Sequence, residues 1–106
     1  MISLNNLKMY ILIKDSIDLG HAVNSVAHGS LMGYLKWKDD PIMDLWLDNY
    51  MRKVTCRVTD KEYEKAKTYN DYGIITELAF DNAEVGIVFK PRWEYPKFFN
   101  FLKLFR

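Results

Sequence analysis

The chain has 106 residues, 49% of them hydrophobic and 15% aromatic, with a formal net charge of +1. That length builds one hydrophobic core and one domain over residues 1–106, and the composition excludes a generally disordered chain. The charge excludes the broad basic surface that holds a long nucleic acid: residues 1–89 carry ten basic and thirteen acidic side chains, while Lys90, Arg92, Lys97, Lys103 and Arg106 against Glu94 give residues 90–106 a local +4.

Residues 1–7 read as a lead-in. Met9 to Ile13 is a continuous apolar run of strand length, the pattern of a central strand buried on both faces. Lys14, Asp15 and Ser16 end it, and Gly20 opens a helix over roughly 21–37. Ala22, Val23, Val26, Ala27, Ser30 and Gly33 recur at helical spacing, a small-residue face for close packing on a sheet. Asp39-Asp40-Pro41 caps a second helix, about 41–50, with Ile42, Met43, Leu45 and Trp46 on its apolar side. Arg52 to Val58 alternates polar and apolar and reads as a strand. Thr59 or Asp60 caps a third helix, with Glu62 and Glu64 near its positive end and Lys65 and Lys67 near its negative end.

Asp71-Tyr72-Gly73 reads as a turn, Ile74 to Leu78 as a strand, Phe80 to Ala83 as a compact turn, and Val85 to Phe89 as a fourth strand closed by Lys90-Pro91. Glu94 to Phe105 reads as a final helix with Phe98, Phe101, Leu102 and Phe105 on one side, making residues 92–106 an aromatic and basic helical tail. The order β-α-α-β-α-β-β-α predicts an α/β domain of three layers, α/β/α, around a four-stranded mixed sheet.

Cys56 is the single cysteine; with no Cys or His at metal-ligand spacing it reads as a buried small side chain in a reducing, cytoplasmic setting. No metal and no cofactor are expected. With no run of about 18 apolar residues, and no basic start followed by an apolar block, neither a membrane span nor a secretory signal is expected.

The run Tyr10-Ile11-Leu12-Ile13-Lys14-Asp15, a short turn, Leu19-Gly20 and then Ala27-His28-Gly29 resembles the opening of type 2 peptidyl-tRNA hydrolases. Lys53-Val54-Thr55 into Asp60-Lys61-Glu62 is similar to that family's second strand and third helix, and Gly86 to Pro91 to its last strand. The resemblance spans about residues 8–91. It implies hydrolysis of the ester joining a peptide to the terminal adenosine of tRNA. His21 stands where the family has a lysine, Ser25 where it has a glutamine, Glu77 where it has an aspartate, and Leu78–Ala83 lacks the family's threonine. The resemblance therefore implies a divergent relative.

The candidate site lies where the first strand hands over to the first helix, the usual ligand position of open α/β sheets. Gly20 and His21 form the helix's first turn, which favours anions. His21 reads equally as a group without a ligand role or as a phosphate contact or acid-base group. Glu77 reads as an exposed strand-end charge or as the carboxylate partner of His21 across the cleft. Lys14 and Asp15 read equally as solvated strand-end charges or as an anion holder and its orienting carboxylate. Asn24 and Ser25 either bond a ligand or cap nearby backbone. His28, two turns from His21 on the same face, reads first as a buried imidazole bonded to backbone and second as a ligand contact. Trp93, Tyr95, Phe98 and Phe99 among Lys90, Arg92 and Lys97 suit packing, on the domain or on a second copy, better than base stacking.

Three functions follow: binding, with possible hydrolysis, of a small nucleotide-derived ligand; a peptidyl-tRNA hydrolase working on the tRNA 3′ end through His21 and Glu77; or a homodimeric interaction module built on the tail.

Overall fold

The computed structural model describes residues 6–106; most of the lead-in read over 1–7 lies outside the described residues. The elements are β1 (Met9–Lys14), α1 (Leu19–Trp37), α2 (Pro41–Asp48), β2 (Lys53–Val58), α3 (Asp60–Ala66), β3 (Tyr72–Glu77), β4 (Ala83–Phe89) and β5 (Lys103–Leu104), with 3-10 turns at Leu78–Phe80 and Lys97–Phe101. The fold is α/β around a mixed sheet, and the sheet has five strands in the order β3-β4-β1-β2-β5, not four.

β1 is the centre of the sheet, parallel to β2 and antiparallel to β4. A parallel pair needs a long crossover, and α1 with α2 supplies it. Successive strand side chains point to opposite faces, so β1 feeds two clusters. Met9, Ile11 and Ile13 join Ala22 of α1 and Met43 and Trp46 of α2. Tyr10 and Leu12 join Tyr63 and Ala66 of α3, together with Phe99 and Leu102 of the tail.

Three local signals set the helix starts. Asp18 caps α1 by accepting from the His21 amide, and Asp40 caps α2 by accepting from Ile42 with Pro41 in the first turn. At α3, Thr59 and Glu62 form a reciprocal capping box.

The α1 face toward the sheet is small, as expected, but rotated: Ala22, Ser25, Gly29 and Gly33 are buried, whereas Val23 and Ala27 are exposed. A Cβ on Gly33 would meet Met9 Cε at 3.0 Å and Val88 Cγ2 at 3.1 Å. That spacing shows why the buried row is the one with the least side chain.

The expected tail helix over 94–105 does not form. Pro96 precedes a 3-10 turn, and β5 then pairs antiparallel with Arg57 and Cys56 of β2, while the Phe105 amide donates to the Thr55 carbonyl at 2.8 Å. The physical reason lies in β2, which without the tail would present an open edge of unpaired backbone groups. Phe99 anchors the turn among Tyr10, Phe89 and Tyr95, each about 5.0 Å away between ring centroids. The Tyr95 hydroxyl sits 3.0 Å from the Lys8 carbonyl and 2.7 Å from that of Lys90.

Candidate functional site at the carboxyl ends of the parallel strands

The handover from β1 to α1 is where the sequence places the site, and strand parity divides it. Lys14 follows Tyr10 and Leu12 onto the α3 side of the sheet. There its ammonium lies 4.6 Å from the centre of the Tyr63 ring. His21 belongs to α1, whose buried residues join the other cluster.

On the α3 side, Tyr63 is 1% exposed and its hydroxyl donates to Glu84 at 2.9 Å. Lys67 meets the same carboxylate at 2.7 Å and Glu64 at 3.5 Å. Burial above all, then the bond to Glu84, pushes the Tyr63 phenol far above its ordinary value. The Lys67 bond holds the Glu84 carboxyl below the usual range, with Tyr63 assisting, and in return Lys67 is raised. This is a satisfied network that anchors α3 to the start of β4.

On the α1 side, His21 Nδ1 lies 2.7 Å from Asp18 Oδ1, and the imidazole packs against Phe80 with ring centres 4.9 Å apart. The Asp18 carboxyl is lowered chiefly by that bond to the His21 side chain. The carboxylate that meets His21 is therefore Asp18 and not Glu77, the end residue of β3, which is half-buried and forms no bond to His21. Asp18 also occupies the helix N-terminus, since its Oδ2 takes the His21 amide at 3.4 Å.

The other expected residues separate. Ser25 is wholly buried against the sheet. Asn24, Gly20 and Asp15 are exposed, and so is His28, correcting its reading as a buried imidazole. The shift has the same cause as the rotated small-residue face: Gly29, not His28, takes the position against Ile75.

What the structure does bring together at this end is a cavity of about 290 Å³ lined by Asp15, Arg57, Thr59, Glu62, Phe101 and Lys103. Arg57 comes from β2, one residue before its end, and its guanidinium lies over the Phe105 ring at 4.0 Å. Glu62 is engaged in the capping box, and Phe101 is 73% exposed at the rim. Among the described residues, neither Arg57, Lys103 nor Lys14 has a carboxylate within the 4.0 Å of an ion pair, although Lys67, Lys90 and His21 do.

Arg57, Phe101 and Lys103 are legible as site residues only once β5 is known to lie beside β2. Asp18 had a local signal, being a capping residue three before His21.

Among the described residues no group of three or more His, Cys, Asp or Glu could hold a metal ion, and no helix is long and apolar enough to cross a membrane. Cys56 is buried, and desolvation raises its thiol to about 11, so it offers no nucleophile. No protein-family model matches this chain, and no curated protein matches it.

Proposed function

We propose that the protein binds a small, phosphate-bearing, nucleotide-derived ligand in the cavity at the carboxyl ends of β1 and β2. The observation that supports this most is the pair of cations lining that cavity, Arg57 and Lys103, neither matched by a carboxylate at ion-pair distance among the described residues. Arg57 is the better phosphate ligand, because its planar fork makes two parallel hydrogen bonds and its stacking on Phe105 orders it beforehand. Phe101 offers an exposed ring for a base, and Thr59 and Asp15 offer polar groups to a sugar. A space of about 290 Å³ takes phosphate and sugar and leaves the base over the rim. Of the residues the sequence suggests at this junction, Asp15 lines the cavity, and its cations come instead from β2 and the tail.

Calorimetry with adenosine 5′-monophosphate tests this. Binding is expected in the native protein and weakened about tenfold or more in Arg57→Ala, the equivalent of the roughly 1.5–3 kcal/mol of a hydrogen bond to a charged group. Lys90→Ala, whose ammonium already serves Asp40 at 3.0 Å, is expected to bind normally. No heat and no rise in Tm with nucleoside mono-, di- or triphosphates ends the reading.

A separate observation favours a second reading. The 2.7 Å contact between His21 and Asp18 is a carboxylate-oriented imidazole, the arrangement of a general base, and it leaves Nε2 to take a proton from water. A peptidyl-tRNA hydrolase of this kind releases a blocked amino acid from charged tRNA. The release is expected to fall at least a hundredfold in His21→Ala and to survive Glu77→Gln. Turnover no faster than the enzyme-free rate removes this reading.

A further inference from the structure

The first helix buries its smallest side chains and leaves four large apolar ones exposed. Its buried side chains are the small Ala22, Ser25, Gly29 and Gly33, whereas Leu19 is 63% exposed, Val23 58%, Leu31 57% and Leu35 55%. From Leu19 to Leu35 the only ionisable side chains besides Tyr34 are two histidines. A helix covering one face of a sheet normally turns its large apolar residues inward and charges outward. Here the fully buried row is the small one, Val26, Met32 and Trp37 pack part-buried beside it, and Leu19, Val23, Leu31 and Leu35 face out.

We propose that this outward face is where a second copy of the chain docks, the two helices crossing on a two-fold axis at Ala27. The proposal does not depend on the ligand assignment above. Leu19, Val23, Ala27, Leu31 and Leu35 recur every four residues and so form one continuous ridge, the kind that packs into the matching groove of another helix at a crossing angle near −50°. The ridge is nearly symmetric in size about its middle: Val23 and Leu31 stand one step from Ala27, and Leu19 and Leu35 two steps. At a two-fold crossing a residue meets its own copy, and the smallest member at that point lets the axes come within about 8 Å.

Charge selects the same occupant. A face without formal charge gives an acidic or basic partner nothing to recognise, and it meets its own copy without like-charge repulsion. Area agrees. With Tyr34 at 37% and Phe80 at 36%, these side chains expose roughly 500 Å² of apolar surface, the size at which a patch marks an interaction site and the larger part of the ~800 Å² each partner gives a stable interface. The tail aromatics, the first candidates for such a contact, are instead used internally, with Phe99 only 2% exposed.

Sedimentation equilibrium of the full chain at about 100 µM, a concentration that populates even a weak dimer, is expected to give twice the 12.6 kDa chain mass. The double variant Leu31→Glu/Leu35→Glu is expected to sediment as a monomer with an unchanged circular dichroism spectrum, since both positions are exposed. Ala27→Cys is expected to form an interchain disulfide under mild oxidation, whereas Lys61→Cys, exposed on α3, is not. A monomeric wild type overturns the proposal, as does a dimer indifferent to the double substitution. A dimer that Ala27→Cys fails to cross-link overturns the crossing point, and a monomer that binds lipid vesicles through Leu31 and Leu35 reassigns the face to a membrane surface.

Discussion

Gly86→Ala is expected to lower stability by about 3 kcal/mol or more, at or above the top of the usual range for overpacking, and to drop Tm by at least ~12 °C for a chain of this size. Gly86 lies in β4, opposite Ile13 of β1 and Ile75 of β3. A Cβ there would stand 2.5 Å from the Leu12 carbonyl oxygen, 2.8 Å from Ile13 Cδ1 and 3.3 Å from Ile75 Cδ1. The side chains can rotate away, but the oxygen is backbone of the central strand and faces β4, where Leu12 pairs with Ile87. Relief therefore requires β1 or β4 to shift as a whole. Gly29→Ala is the control. Its Cβ would meet Ile75 Cδ1 at 2.5 Å and Cγ1 at 3.2 Å, the far end of a flexible side chain, and the helix regains about 1 kcal/mol from alanine's propensity. Urea unfolding of both variants decides the matter: if Gly29→Ala loses more stability than Gly86→Ala, the account of the β1–β4 approach is wrong.

Phe99→Ala is expected to cost about 3–5 kcal/mol, the range for deleting a buried phenyl ring, and to release the tail. Phe99 is 2% exposed and its ring is 5.0–5.6 Å, centre to centre, from those of Tyr10, Tyr69, Phe89, Tyr95 and Phe98. It is the main contact by which residues 97–104 reach the α3 side of the sheet. Without it β5, only two residues long, has too few hydrogen bonds to stay on β2. Trypsin should then cut after Lys97 and Lys103 at a rate that leaves the wild type intact, and adenosine 5′-monophosphate binding should fall with the loss of Lys103 and Phe101 from the cavity. A Phe99→Ala chain within 1 kcal/mol of wild type and resistant to trypsin would show that the tail is held by something else.

The two variants probe the part of the fold that local pattern already expressed and the part that it did not. Met9–Ile13 has no polar residue, so it fits only a strand covered on both faces, and the structure makes it the middle of the sheet. Thr59 with Glu62, and Asp40 before Pro41, start α3 and α2 as expected because a cap is a bond between residues two or three apart. The tail was misread for the converse reason. Phe98, Phe101, Leu102 and Phe105 have helical spacing, but their backbone finds better partners on the open edge of β2 and the Phe99 ring finds better ones around Tyr10.

The candidate site was divided in the same way. Asp15, at the end of β1, lines the cavity, whereas Lys14 turns to the α3 side over Tyr63. Arg57 and Lys103 line it too, and nothing within their own stretches sets them apart from any surface cation. The partner of His21 was sought at Glu77 across the sheet and is Asp18, three residues away. By itself, then, the chain of residues determined its α/β class, the central strand, the helix caps and one edge of the cavity, all of which rest on periodicity or on bonds between near neighbours. The tertiary structure alone decided the fifth strand, which row of α1 turns inward and which cations share a pocket, because each of those depends on what a distant segment leaves uncovered.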